Sequence, residues 1–96
     1  MIDVRRLVWD EWNVAHIARH DVIPDEVEEA CHRGDSYTDE GKKGRIRLIG
    51  TTASGRVIAA ILDLDDEEGV YYPVTARSAS RQERRLYQER KGGANP

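Results

Sequence analysis

Arginine and histidine carry most of the chemistry available to this 96-residue chain. A guanidinium stays charged at any physiological pH, and its planar fork matches two phosphate oxygens. An imidazole exchanges its proton near neutrality. Such residues suit stabilising charge on a phosphate and moving protons around it. Arg45, at the start of a predicted strand, Arg77, at the end of another, and Arg47 and Arg56 are candidates for the first task. The alternative is an ordinary surface or salt-bridged arginine. His20 is the best candidate for proton transfer. It ends a predicted helix, where the negative helix terminus favours an imidazolium, and a plain capping histidine fits the same position. His16 and His20 are spaced i, i+4 like a metal pair. No third ligand lies at metal spacing, so neither metal nor cofactor is expected. Arg81, Arg84 and Arg85 fall on the last predicted helix, either positioning phosphates or forming a solvated face. Tyr87 could stack on a base or act as an acid, or simply pack.

The elements that must hold these residues follow from pattern. Val4 to Trp9 reads as a strand with Val4, Leu7 and Trp9 in the core, and Trp12 is assigned to the core as well. Asp10 suits the N-cap of a helix reaching about Arg19, whose apolar stripe is Val14, Ile17 and Ala18. Pro24 fits the first turn of a second helix that buries Val27, Ala30 and Cys31 and stops at Gly34. Ser36 to Thr38 is a short edge strand. A hairpin joins Arg45–Thr51 to Val57–Leu64, with Ile46, Leu48 and Gly50 on one face and Arg45, Arg47 and Ile49 on the other. The second hairpin strand is apolar on both faces and therefore central. In Val70–Arg77, Pro73 calls for an edge or a bulge. Ser80 and Glu83 form a capping box for a helix to about Arg90. The expected architecture is α+β, an antiparallel sheet covered on one face. Residues 1–91 form one domain, and 92–96 a disordered end.

Net charge is −3, which speaks against a general nucleic-acid binder, but the charge is segregated. Residues 41–60 hold five basic and no acidic side chains, whereas 61–74 hold five acidic and no basic ones. Residues 75–96 are again basic, so two positive blocks could converge into one patch. A single cysteine allows no intrachain disulfide, and no apolar run approaches membrane-helix length. With no secretory hydrophobic region at the start, a cytoplasmic setting is expected.

Several stretches, in matching order, resemble one family. They are Trp9 to Asn13, His16 to His20, Val22 to Ala30, Gly44 to Gly50, Gly55 to Val57, Tyr72 to Arg77, Ala79-Ser80 and Glu83 to Tyr87. Over about residues 7–87 the chain is similar to the BrnT toxins, RelE-like ribonucleases of bacterial toxin–antitoxin pairs. The resemblance implies a compact RelE-like fold, with N-terminal helices packed on the sheet and a basic C-terminal helix. It implies metal-independent RNA cleavage that stops translation, and places Arg45 and Arg77 at matching positions. It also implies a ribbon–helix–helix antitoxin of the BrnA kind, with operator DNA bound only through the toxin–antitoxin complex. Tyr72 stands where many members carry a basic residue, and Asp21 where many carry glycine. On this reading His20, Arg45 and Arg77 are catalytic, and Arg47, Arg81, Arg84, Arg85 and Tyr87 bind RNA. The alternative is a RelE-fold interaction module that binds an antitoxin-like partner without cleaving RNA.

Overall fold

The computed structural model describes residues 3–93. In chain order the elements are β1 (Arg6–Leu7), α1 (Glu11–Ala18), α2 (Pro24–His32), β2 (Tyr37–Glu40), a 3₁₀ turn (Lys42–Gly44), β3 (Ile46–Thr51), β4 (Val57–Leu64), β5 (Val70–Ser78) and α3 (Arg81–Gly93). The class is α+β. The five strands form one sheet in the order β1-β5-β4-β3-β2. The last four strands pair antiparallel, but β1 runs parallel to β5, so the sheet is mixed. The central place of β4 agrees with its two apolar faces.

Strand alternation sorts the side chains into two layers. Leu48, Ile58, Ala60, Leu62 and Ala76 face α1 and α2, where they join Ile17, Val22, Val27 and Ala30. Gly50 points the same way, and a Cβ there would lie 2.7 Å from the carbonyl oxygen of Ala30. Only glycine allows α2 to approach the sheet so closely. On the opposite face Ile49 and Ala59 pack against Ala79 and Tyr87 beneath α3. The sheet is thus covered on both faces, not one. The expectation of single coverage overlooked that Tyr87, one turn beyond Glu83, gives α3 a buried line of its own.

Further differences have local causes. The regular part of β1 is only Arg6–Leu7, because the chain then turns into α1. The edge strand begins and ends later than expected, at Tyr37–Glu40. In α1 the buried residues are Asn13 and Ile17; Val14 and Ala18 are exposed, and Trp12 is 56% exposed. Asn13 is inside because its Nδ2 donates to the carbonyls of Val8 (2.9 Å) and Pro73 (3.1 Å). It stands in for the neighbouring strand that β1 does not provide. Pro73 is accommodated by an irregularity in the β4–β5 register at Ile61/Leu62, as its missing N–H requires. Helix α3 extends through Gly93, and residues 94–96 of the supposedly disordered end lie outside the described residues.

Candidate functional site

The arginines of β3 and β5 meet on the α3 side of the sheet. The ladder sets Ile49 beside Ala59 and Ala59 beside Arg77, while Arg47 lies beside Ile61 and Ile61 beside Thr75. Arg47 and Arg77 therefore share the face that carries Ile49. The turn into α3 supplies what lies between them. Ser80 Oγ accepts from the Glu83 N–H at 3.1 Å, and the Ser80 N–H donates to Glu83 Oε1 at 2.9 Å. This capping box, predicted from sequence, fixes Glu83 with only 4% of its surface exposed.

Two guanidiniums converge on that carboxylate. Arg77 donates end-on, Nη1 to Oε1 at 2.6 Å and Nη2 to Oε2 at 3.0 Å. Arg47 Nη1 reaches Oε2 at 3.4 Å. The other edge of Arg47 is taken by Asp39 of β2, with Nε to Oδ1 at 2.9 Å and Nη2 to Oδ2. The Tyr37 hydroxyl adds a hydrogen bond to Asp39 at 3.1 Å. Four elements, β2, β3, β5 and α3, are thereby tied by one chain of charge-assisted hydrogen bonds. The Arg77 guanidinium, helped by the Ser80 N–H, holds the Glu83 carboxyl down to about 2 against the opposing effect of burial. Hydrogen bonding from Arg47 likewise lowers Asp39. Two cations face two anions, so this network is close to neutral.

Arg45 has the same strand parity but is less engaged. Its Nε lies 3.9 Å from Asp63 Oδ2, both side chains being substantially exposed. Asp63 is four residues from Ala59, the partner of Arg77, on β4. That places Arg45 about 13 Å further along the sheet. Arg45 and Arg77 thus share a face without sharing one contact site. Arg81, Arg84 and Arg85 are exposed on α3, and no ion pair or hydrogen bond engages their side chains among the described residues. They are the least compensated positive charge beside the network.

Two sequence-based assignments require correction. Tyr87 is 2% exposed, and its hydroxyl accepts from Thr51 Oγ1 at 2.6 Å. As a core residue under α3 it is not available to stack on a base. His20 is exposed just past α1, on the other side of the sheet. Its carbonyl is 3.4 Å from Arg56 Nη2, which also donates to Ser78 Oγ at 2.8 Å. Ser78 pairs with Ile58, whose side chain belongs to the α1–α2 core. His20 cannot act with Arg45 and Arg77, because the sheet lies between them. Its ring instead meets His16 edge-on at 5.8 Å, and His16 stacks on Trp12 at 4.9 Å. Among the described residues no group of three His, Cys, Asp or Glu side chains could hold a metal ion.

The sequence reading missed the acidic partners Asp39 and Glu83. Glu83 was identifiable as a helix cap, and its burial between arginines depends on where α3 lands. Arg56 was also undervalued. It joins the hairpin end to Asp21 O, to Glu26 at 3.2 Å and to Ser78, a bracing role. Of the two departures from the BrnT pattern, Tyr72 donates to both oxygens of Asp10, the N-cap of α1. Asp21 occupies left-handed backbone, with φ 58°.

Together, fold and site define a small α+β protein whose mixed sheet carries an arginine–carboxylate network beside a helix studded with free arginines. No described helix is long and apolar enough to cross a membrane. The chain matches no protein-family model, and a search of curated proteins found no significant match.

Proposed function

We propose that this chain is a BrnT-like, RelE-type ribonuclease toxin that acts on RNA in the cytoplasm and is neutralised by a ribbon–helix–helix antitoxin. The carrying observation is the gathering of Arg45, Arg47 and Arg77 on one sheet face, with Arg81, Arg84 and Arg85 on the helix packed against that face. The α+β architecture is consistent with this reading, and the resemblance over about residues 7–87 supports it. RNA supplies its own nucleophile. The 2′-oxygen attacks phosphorus as its proton passes to a base, and the P–O5′ bond breaks with protonation of the leaving oxygen. The products are a 2′,3′-cyclic phosphate and a 5′-hydroxyl. Arginine stabilises the charge gathered on the phosphate oxygens. With His20 on the far side, Asp63 beside Arg45 is a half-exposed carboxylate on this face able to take the proton.

The test is induced expression without antitoxin. Growth arrest with chelator-resistant RNA cleavage and 5′-hydroxyl ends is expected. Unchanged growth and intact mRNA, in cells shown to contain folded protein, would defeat the enzyme reading. The second reading is a non-catalytic module that binds an antitoxin-like partner. It is favoured by the neutrality of the network, where Asp39 and Glu83 answer Arg47 and Arg77. A stable complex with the product of an adjacent ribbon–helix–helix reading frame, without RNA cleavage by the free protein, would select it. Operator DNA is expected to bind only to the complex.

A further inference from the structure

We infer that Glu83 is a positioning residue for RNA binding, holding Arg77 so that its free edge meets a backbone phosphate; this rests on the RNA-binding reading above. The two groups differ in the freedom the fold leaves them. The Glu83 side chain is 5% exposed and tied to the Ser80 N–H at 2.9 Å, so its carboxylate is fixed by the backbone of the α3 turn. The Arg77 side chain is 44% exposed. Its Nη1 and Nη2 bind the two Glu83 oxygens, and Nη1 also donates to the Ser78 carbonyl at 3.3 Å. Nε–H takes no part in these contacts. Five donors in a rigid fork let one edge be pinned while another binds a second anion. Arg47 differs, since Asp39 takes its Nε edge and Glu83 its Nη1, and its side chain is only 28% exposed. A phosphate is therefore assigned to Arg77 rather than to Arg47. Arg81, Arg84 and Arg85 on the following helix extend the same positive track.

The sign of a substitution decides the matter. Neutralising a carboxylate on a nucleic-acid-binding face ordinarily tightens binding and steepens its salt dependence, because a cation is released to phosphate. If Glu83 positions Arg77, the opposite follows. The probe is a fluorescent 2′-O-methyl RNA oligonucleotide of mixed sequence, which lacks the attacking hydroxyl and is not cut. Binding is titrated over a range of salt concentrations to wild-type protein, Glu83→Gln, Glu83→Asp and Arg77→Ala. Glu83→Gln keeps a cap at this helix position. Glu83→Asp keeps the charge but is one methylene too short to hold Arg77 end-on. Ser80→Ala, which weakens the cap alone, controls for stability, and each affinity is corrected for the folded fraction measured by circular dichroism. Both Glu83 variants should bind more weakly than wild type, with the log–log salt slope shallower by about 0.7, the value of one lost contact to a single strand. Ser80→Ala should retain wild-type affinity. Tighter or unchanged binding by Glu83→Gln, or wild-type binding by Glu83→Asp, overturns the inference while leaving RNA binding intact. Should the wild type fail to bind, or bind with no dependence on Arg77, the RNA reading falls and takes the inference with it.

Discussion

The side-chain amide of Asn13 donates to the carbonyl of Pro73 at 3.1 Å, joining the first helix to the last strand across 60 residues of sequence. The same amide donates to Val8 O, and Asn13 Oδ1 accepts from the Asp10 N–H at 2.9 Å. Replacing it strands buried carbonyls. Asn13→Leu, similar in volume, should cost roughly 2–4 kcal/mol, since each buried unsatisfied group costs about 1–3 kcal/mol. Urea denaturation checks this; a loss below 1 kcal/mol, roughly one ordinary hydrogen bond, would mean the amide is dispensable.

Asp21 holds φ at 58°, a region that costs a side chain with a Cβ and costs glycine nothing. Asp21→Gly should stabilise by about 0.5–1 kcal/mol, the strain relieved exceeding the entropy that glycine adds to the unfolded chain. The Arg56 contact is to the Asp21 carbonyl and survives the change. An unchanged or lower denaturation midpoint at constant m-value would contradict this account.

Glu83 makes stability depend on acid. Its carboxyl titrates at about 2 in the folded protein, below its ordinary 4.5. A depressed folded value means that the unfolded chain binds the proton first. The stabilisation is therefore complete above about 4.5 and is lost progressively as pH falls toward 2. Thermal melts from pH 6 to pH 2 should show this limb, and Glu83→Gln should flatten it. Equal acid sensitivity in the variant would locate the effect at other carboxylates.

Arg45 separates function from stability. Its pairing with Asp63 is long and solvated, of a kind worth about 0–1 kcal/mol. Arg45→Ala should leave the melting temperature almost unchanged while lowering the cleavage rate by about 10²–10³, if Arg45 stabilises charge on the phosphate. His20→Ala should cleave at the wild-type rate. A large rate loss on changing His20, with the fold intact, would mean that RNA reaches the opposite side of the sheet.

Local signals were legible where one residue type answers one local demand. Pro24 opens α2, Ser80 and Glu83 cap α3, and the alternation of Ile46, Leu48 and Gly50 with Arg47 and Ile49 sorts the faces of β3. Legibility fell where the demand comes from elsewhere in the fold. Asn13 falls outside the predicted apolar stripe of α1, and its burial follows only once the shortness of β1 leaves carbonyls needing a donor. Trp12 reads as core by type, yet it lies on the outer side of a helix whose inward positions are Asn13 and Ile17. His20 and Arg77 are both near element ends, and nothing in their spacing tells that the sheet separates them. Glu83 shows a cap locally and an ionic anchor only after α3 docks.

Because α3 follows every strand in the chain, the second face of the sheet is finished last during synthesis. Until residue 83 has left the ribosome, Arg77 has no Glu83 to bind, and Arg47 can be answered only by Asp39. Ile49 and Ala59 are likewise bare until Tyr87 arrives. The nascent sheet is therefore stickier than the finished protein and leaves Arg77 without its carboxylate, and the arrival of one helix turn both covers the apolar face and pairs the guanidinium.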